Sequence, residues 1–209
     1  MAVATLVAAK TAFPYPHTLE TAKGGEAHEG FSRRFWFYLL AIGLVAAGTA
    51  DFPLMAFHFE RTQAVPRIYV PIFYSAAMGV DALAALFFGR WFDRKGLSVL
   101  MAVSALSAFF APLVFLGGTV QVAAGLALWA VGMGAQESVM RAALSGMLPA
   151  HRRGTGFGIW NMAYGASWFL GSAALGFLYD KSLTLVIIFS MGCILSSLPI
   201  FWALSRRKP

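Results

Sequence analysis

Long apolar runs separated by short polar stretches dominate the chain from residue 35 onward. Six such segments, numbered I to VI, are predicted at about 35–57, 69–91, 97–116, 120–148, 155–179 and 183–204. A helix of about 20 residues crosses a hydrocarbon core of roughly 30 Å, so each segment can span a bilayer. Glycine, proline and charged residues fill the stretches between them, as is typical of turns. The pattern predicts an all-α polytopic membrane protein with six transmembrane helices within residues 35–204.

Both ends of the chain are more polar than this central region. Residues 1–34 begin with a short apolar stretch, which lacks the preceding positive charge of a secretory signal, and continue with Pro- and Gly-rich sequence. We predict a polar N-terminal linker here, whose first residues are either the remnant of a preceding helix or a disordered tail. Residues 205–209 are predicted to form a basic cytoplasmic tail.

Composition supports a membrane protein and argues against several other classes. Hydrophobic residues make up 59% of the 209 residues and charged residues only 12%, whereas soluble domains carry about a quarter charged residues. The net charge of +7 does not indicate nucleic-acid binding, because the basic residues lie between apolar segments rather than in one patch. The single Cys193 and the four scattered histidines lack ligand spacing. We therefore expect no metal and no cofactor.

The distribution of lysine and arginine predicts the orientation. If the N-terminus is cytoplasmic, twelve of these residues lie on the inner side and three, Arg61, Arg67 and Lys181, on the outer side. Cytoplasmic loops carry the excess of positive charge in membrane proteins. We expect both termini to be cytoplasmic and the protein to lie in a prokaryotic plasma membrane, the cell inner membrane.

An internal repeat relates the two halves of the apolar region. Gly89-Arg90-Trp91-Phe92-Asp93 ends segment II, and Gly176-Phe177-Leu178-Tyr179-Asp180 ends segment V, at an offset of 87 residues. The same offset places segment I on IV and segment III on VI. Three helices followed by three more enter the membrane from opposite sides. The predicted architecture is therefore a 3+3 inverted repeat.

The loop between segments II and III carries the most specific motif. It reads Gly89-Arg90-Trp91-Phe92-Asp93-Arg94-Lys95-Gly96 and resembles the G-x-x-x-D-R-x-G signature of the major facilitator superfamily of secondary transporters. The resemblance runs from about Arg33 to the C-terminus and is to the C-terminal six-helix half of such a transporter. It includes Gly134-Ala135-Gln136-Glu137 and the basic, glycine-rich stretch at 152–158. The chain departs from the family pattern at Leu97-Ser98, where another basic pair is common.

The resemblance implies that this loop is a cytoplasmic latch that forms and breaks during alternating access. The residues concerned are Gly89, Arg90, Asp93, Arg94 and Gly96. Gly89 is expected to allow close backbone approach, and Gly96 a tight or left-handed turn. Asp93 is expected to accept hydrogen bonds from the N-terminus of a neighbouring helix, where the dipole favours an anion. A positively charged anchor and a simple turn are the alternative role.

The resemblance also implies a function and partners. Substrate lies between two six-helix bundles in the family, so one bundle supplies one wall of the cavity. We expect the C-terminal half of a transporter that moves a small solute by alternating access, with proton coupling as an option. Its expected partners are the lipid bilayer, a small-molecule substrate and either an N-terminal six-helix half or a second copy. The alternatives are a homodimeric half-size transporter, a non-transporting membrane regulator and a decayed fragment.

Charged residues at membrane depth are costly and usually face a bundle interior or a wet cavity. Glu137 and Arg141 of segment IV, beside Gln136, have the i, i+4 spacing of neighbours on one helix face. They are candidates for substrate or proton binding, with a structural ion pair as the alternative. Segments III and VI contain no charged residue between their ends, which suits lipid-facing helices.

Two aspartates and one asparagine complete the candidate site. Asp81 lies in the middle of segment II, where burial favours its neutral, proton-binding form. Asp51 lies toward the outer end of segment I beside Pro53, which is expected to kink the helix. Asn161 shares one predicted face of segment V with Tyr164, Trp168 and Gly171. That face either lines a substrate path or packs against another helix.

An intramembrane enzyme is a different class of function. Six-helix serine proteases of the membrane need a Gly-x-Ser-Gly setting and a histidine on a helix. Here Ala143-Leu144-Ser145-Gly146 lacks the first glycine, and His58 lies on the opposite side of the predicted membrane. We therefore expect no enzymatic activity.

Overall fold

The computed structural model describes residues 30–206, and its helices follow the six predicted segments. The helices are α1 (Arg33–Gly48), α2 (Phe52–Thr62), α3 (Val70–Lys95), α4 (Ser98–Ser107), α5 (Phe110–Leu116), α6 (Thr119–Ala135), α7 (Arg141–Met147), α8 (Arg153–Lys181) and α9 (Leu183–Arg206). A π turn, Gln136–Met140, joins α6 to α7, and short 3-10 turns precede α3 and α8. No β-strand occurs in residues 30–206. The all-α prediction is confirmed for this part of the chain.

The predicted terminal regions fall largely outside the described residues. Residues 1–29 of the predicted linker and residues 207–209 of the predicted basic tail are not described. The predictions for these stretches therefore stay predictions.

Four helical stretches are long and apolar enough to cross a membrane. They are Arg33–Thr62, Arg67–Lys95, Ser98–Leu116 and Leu183–Arg206, and they correspond to segments I, II, III and VI. Among the described residues, the helices of segments IV and V are not both long enough and apolar enough to join this group. The π turn interrupts segment IV, and polar residues and glycines are frequent in α8. For these two segments, membrane crossing remains a prediction from the sequence.

Segment I is broken rather than kinked. The helix stops at Gly48 and resumes at Phe52, with Pro53 in the first turn of α2, where its missing N–H is tolerated. Side chains from other helices satisfy the carbonyl groups freed by the break. Ser190 Oγ donates to the carbonyl of Gly48 at 2.6 Å, and Trp129 Nε1 donates to that of Ala50 at 2.9 Å. Such compensation is what permits a helix break at membrane depth.

Segment III is also divided, and a proline accounts for the division. Pro112 has no N–H to donate to the carbonyl of Ala108, the position at which α4 gives way to α5. In segment VI, Pro199 lies inside the continuous helix α9. Proline thus interrupts the helix of segment III but is accommodated within the helix of segment VI.

Several close helix contacts depend on a glycine, and the two tightest lie at Gly171 and Gly134. A Cβ at Gly171 of α8 would collide with the backbone of Ala47 in α1, and one at Gly134 of α6 would collide with the backbone of Asp81 in α3. Around these crossings, α1 packs against α8 and α9, and α6 packs against α3, α4 and α5. By contrast, a Cβ at Gly154 or Gly158 would meet nothing within 4 Å. Their helix face lies against none of the other described helices.

A buried histidine lies at the end of the bundle opposite the termini. His58 of α2 is 2% exposed, and its Nδ1 lies 2.9 Å from the hydroxyl of Tyr179 in α8. Its ring meets that of Phe115 in α5 edge-on. His58 therefore ties α2, α5 and α8 together, a role that its isolated position in the sequence did not indicate.

Candidate functional site

A small cavity opens midway along α6, the π turn, α7 and α8. It has a volume of about 140 Å³ and is lined by Met133, Gln136, Glu137, Arg141, Trp160, Tyr164 and Trp168. Three of the predicted site residues, Gln136, Glu137 and Arg141, thus share one cavity. Its remaining walls are mostly aromatic side chains of α8.

The π turn positions the polar residues of segment IV. It widens the helix over Gln136–Met140, and the hydroxyl of Tyr38 in α1 donates to the carbonyl of Met140 at 2.7 Å. Single π turns inside α-helices are rare and occur frequently at functional sites. The hydroxyl of Ser138 donates to the carbonyl of Gly134 at 2.9 Å, so side chains from within and outside the helix compensate for its irregular backbone.

A chain of hydrogen bonds connects the cavity to segment I. Tyr164 donates its hydroxyl hydrogen to Gln136 Oε1 at 2.8 Å, and Gln136 Nε2 donates to Thr49 Oγ1 at 3.4 Å. Thr49 in turn donates to the carbonyl of Val45 at 2.8 Å. Gln136 is only 5% exposed, so its amide is fixed by partners on two other helices. Gln136 therefore joins α8 to α1 through the cavity wall.

Asp51 extends this polar layer toward the break in segment I. Trp168 Nε1 donates to one of its carboxylate oxygens and Ser172 Oγ to the other. Tyr164, Trp168 and Ser172 follow one another at intervals of four residues on one face of α8. Charge-assisted bonds to a carboxylate are stronger than neutral ones. Asp51 is thus half-buried with a hydrogen-bond donor at each carboxylate oxygen.

The two charges of segment IV are not joined to each other. Glu137 and Arg141 are both exposed, and no ion pair connects them; the ion pair among residues 30–206 is Arg67–Glu60, near the opposite end of the bundle. The i, i+4 pairing predicted from the sequence assumes a regular α-helix. In the structure the π turn interrupts the α-helix at Glu137, and no ion pair joins its carboxylate to Arg141. Both charges face the cavity as separate groups.

The aromatic wall of the cavity contains an unused donor. Trp160 and Tyr164 stack with ring centroids 5.2 Å apart, and Trp168 follows at 5.6 Å from Tyr164. Trp160 Nε1 is buried and has no hydrogen-bond partner among the described residues. A buried donor without a partner is costly. A bound molecule with an acceptor group would satisfy it.

Two other predicted site residues lie outside this cavity. Asp81 is half-buried on α3 where that helix crosses α6 at Gly134, and its Oδ1 is buried without a hydrogen-bond partner in residues 30–206. Asn161 is exposed, and its amide donates to the carbonyl of Phe157 in its own helix at 2.9 Å. The structure therefore brings Asp51 and Gln136 into one network and leaves Asn161 outside it.

The predicted latch loop has the expected turn but not the expected contacts. Gly96 ends α3 with φ of 60°, and its N–H donates to the carbonyl of Phe92 at 2.8 Å, so the left-handed turn is confirmed. A Cβ at Gly89 would meet nothing within 4 Å among the described residues, so the close approach predicted there stays a prediction. Asp93 and Arg94 are exposed and form no ion pair with another described residue. Arg90 is exposed and donates to the carbonyl of Leu86 at 3.4 Å within its own helix.

Sequence reasoning missed three members of the polar layer, namely Thr49, Ser172 and Trp160. Ser172 could have been found by continuing the four-residue interval from Tyr164 through Trp168. Thr49 lies 87 positions before Gln136, the same offset as the internal repeat, which was a usable signal. Within the described residues, no group of three or more His, Cys, Asp or Glu side chains could hold a metal ion.

The chain matches one protein family and several distant relatives. A family model described as Major Facilitator Superfamily matches residues 1–172 and also residues 39–209. The chain is 29% identical over 171 residues to an uncharacterized protein of Mycobacterium bovis and to uncharacterized proteins of two Mycobacterium tuberculosis strains. Each of these matches covers 82% of the chain and 42% of the relative. The chain thus spans less than half the length of these curated relatives.

Proposed function

This chain belongs to the Major Facilitator Superfamily, and we propose that it supplies one six-helix bundle of a transporter that moves a small solute by alternating access. The family is one of membrane transporters, and the apolar helices agree with an integral membrane protein. Within that family, the cavity bordered by α6, α7 and α8 is the proposed solute site. The bundle corresponds in this proposal to the C-terminal half of the transporter.

The exposure of Glu137 and Arg141 is the observation that carries the proposal. Glu137 lies 10 residues and Arg141 lies 6 residues before the end of the stretch 119–147, so both lie within the second half of this predicted span. A charge at that depth cannot lie stably against lipid tails. The face that carries them must therefore meet water or another protein. A solute cavity between two bundles provides such a surface.

The chemistry of the cavity favours a solute that accepts hydrogen bonds, and an anion in particular. Arg141 supplies a positive charge, and the buried Trp160 N–H is a donor without a partner. Tyr164 already donates to Gln136, so it acts mainly by stacking. Glu137 and Asp81 are the carboxyl groups available for proton coupling in this proposal.

Two observations support the proposed 3+3 inverted repeat. Thr49 and Gln136 are separated by the repeat offset of 87 residues and hydrogen-bond to each other, as residues beside a twofold axis would. The two close crossings are also related by this offset. Adding 87 to Ala47 gives Gly134, and subtracting 87 from Gly171 gives Ala84. A Cβ placed on Gly134 would lie 3.1 Å from the Cβ of Ala84, so these two repeat-related residues are also neighbours. Contacts of α1 with α8 thus repeat as contacts of α6 with α3.

The proposed orientation places both termini in the cytoplasm of a prokaryotic cell. In that orientation Ser98, at the start of α4, is inside, and Thr119, at the start of α6, is outside; both are exposed. With Cys193 replaced by alanine, we expect a membrane-impermeant thiol reagent added to intact cells to label Thr119→Cys but not Ser98→Cys. Labelling after cell lysis is the control for reactivity. Labelling of Ser98→Cys and protection of Thr119→Cys in intact cells would reverse the orientation.

The proposed partner is a second six-helix bundle, either an N-terminal half or another copy of the chain. We expect the purified chain alone to be inactive in proteoliposomes tested with radiolabelled anionic, cationic and neutral small solutes under a proton gradient. Uptake should appear when an N-terminal six-helix bundle is co-expressed. Uptake by a dimer of the chain would instead identify a half-size transporter. Uptake by a proven six-helix monomer would refute the two-bundle proposal.

A further inference from the structure

An apolar groove lies between the start of α1 and the end of α9. It has a volume of about 280 Å³ and is lined by Phe37, Pro199, Ile200, Ala203 and Leu204, with Arg33 and Arg34 at its rim. Phe37 is 53% exposed although it is fully apolar. The groove is thus a slot for hydrocarbon that ends at two guanidinium groups.

A polar recess adjoins the groove at the same end of the bundle. It has a volume of about 510 Å³, and its polar lining residues are Ser32, Arg34, Lys95, Ser98 and Ser205. Arg34 borders both spaces. No aspartate or glutamate of residues 30–206 lines the groove or the recess. Together they place hydroxyl groups and three cations next to an apolar slot.

Within residues 30–206, no carboxylate pairs with the positive charges at the rim of the groove. Neither Arg33 nor Arg34 forms an ion pair with a carboxylate among the described residues. Arg34 Nη2 donates to the carbonyl of Leu204 at 3.4 Å, which holds the guanidinium against α9, while its Nε is buried without a partner. An anion at the rim would compensate charge that the described protein leaves unpaired.

Exposed tryptophans flank the groove, an arrangement typical of the membrane surface. Trp36 and Trp202 are 52% and 47% exposed beside the groove-lining residues of α1 and α9. The guanidinium of Arg206 lies 3.8 Å from the ring centre of Trp202. Tryptophan concentrates at the level of lipid head groups, and basic pockets between transmembrane helices bind anionic head groups. The groove therefore runs from the head-group level into the hydrocarbon region.

We propose that this end of the bundle binds one molecule of an anionic phospholipid, with its phosphate at Arg33 and Arg34, its polar head group in the recess and one acyl chain in the groove. A zwitterionic lipid of the same chain length lacks the net charge, and inorganic phosphate lacks the chain. The recess is also lined by Ala143, Gly146 and Met147 of α7, but neither the groove nor the recess shares a lining residue with the solute cavity, so the lipid site does not depend on the proposed solute site.

Native mass spectrometry of the purified chain in detergent tests this site. Equal amounts of dioleoylphosphatidylglycerol and dioleoylphosphatidylcholine should give retention of the former only, and inorganic phosphate in excess should not displace it. A surface cation adds about 1 kcal/mol to the binding of an anionic lipid, so Arg33→Gln or Arg34→Gln should weaken retention about fivefold and the double change about 25-fold. Ala203→Trp, which fills the groove without changing charge, should also weaken it.

Matched controls separate a specific site from general attraction. Arg153→Gln removes an exposed cation at the start of α8, and Ala102→Trp adds bulk at an exposed position of α4; neither residue lines the groove or the recess. Both should bind phosphatidylglycerol as the parent does. Equal retention of the two lipids, displacement by phosphate alone, or equal loss in Arg153→Gln would each overturn the proposal. Arg33 is exposed at the rim of the groove, so its variant keeps the test valid if changes at Arg34 impair folding.

Discussion

Gly171→Leu is expected to destabilise the bundle more than any other single change considered for this chain. A Cβ at this position would overlap the carbonyl oxygen and Cα of Ala47, and backbone atoms cannot rotate away as a side chain can. Overpacking costs about 1–3 kcal/mol where neighbours can adjust. A contact with backbone should reach about 3 kcal/mol or more.

Thermal unfolding in detergent measures this effect. For a chain of this size, about 3 kcal/mol corresponds to a Tm lower by roughly 6–12 °C. Gly165→Leu is the matched control, because Gly165 lies on the same helix and a Cβ there meets nothing within 4 Å. The Tm of Gly165→Leu should show only the small effect of replacing a glycine within a helix. A Tm for Gly171→Leu equal to that of Gly165→Leu would contradict the close crossing of α1 and α8.

Arg141→Gln is expected to reduce solute uptake by the complete two-bundle transporter about tenfold or more. Hydrogen bonds to charged groups contribute about 1.5–3 kcal/mol, and Arg141 is the cation of the proposed cavity. Expression and Tm should change little, since Arg141 is exposed and forms no ion pair with Glu137. Glu137→Gln should likewise spare expression.

The comparison of single and double changes distinguishes site residues from a structural pair. If the two charges supported each other, each single change would leave the other charge unpaired at membrane depth, at a cost of about 3 kcal/mol. The double change would remove both charges and would therefore harm expression less than either single change. The structure predicts instead that all three variants accumulate normally. Arg153→Gln, an exposed cation outside the cavity, should keep full uptake. Loss of expression in the single variants alone would restore the structural-pair interpretation.

The apolar pattern was sufficient to locate all six helical segments. A long apolar run is visible in the local sequence, whether lipid or protein later covers it. The repeat offset was also readable, although its application to Thr49 and Gln136 became clear only from their contact. Proline chemistry pointed to irregularity at Pro53, although a break and not a kink resulted. Local sequence rules of this kind do not depend on the tertiary arrangement.

The features that sequence could not supply depend on contacts between distant segments. The π turn at Gln136–Met140 has no sequence signature, and the absence of an ion pair between Glu137 and Arg141 could not be read from their spacing. Small residues at four-residue spacing did not by themselves identify the close contacts. Gly171 meets a neighbouring backbone whereas Gly158, on the same helix, faces open space, because only the fold decides which face is covered.

The central claim is that the face bearing Glu137 and Arg141 meets water and not lipid. Thiol labelling in native membranes tests it without knowledge of the solute. With Cys193 replaced by alanine, Glu137→Cys should react with a membrane-impermeant maleimide. Ser196→Cys should stay protected, because Ser196 is exposed near the middle of α9, on a segment proposed to face lipid. Equal protection of both positions, with both reactive after denaturation, would contradict the account.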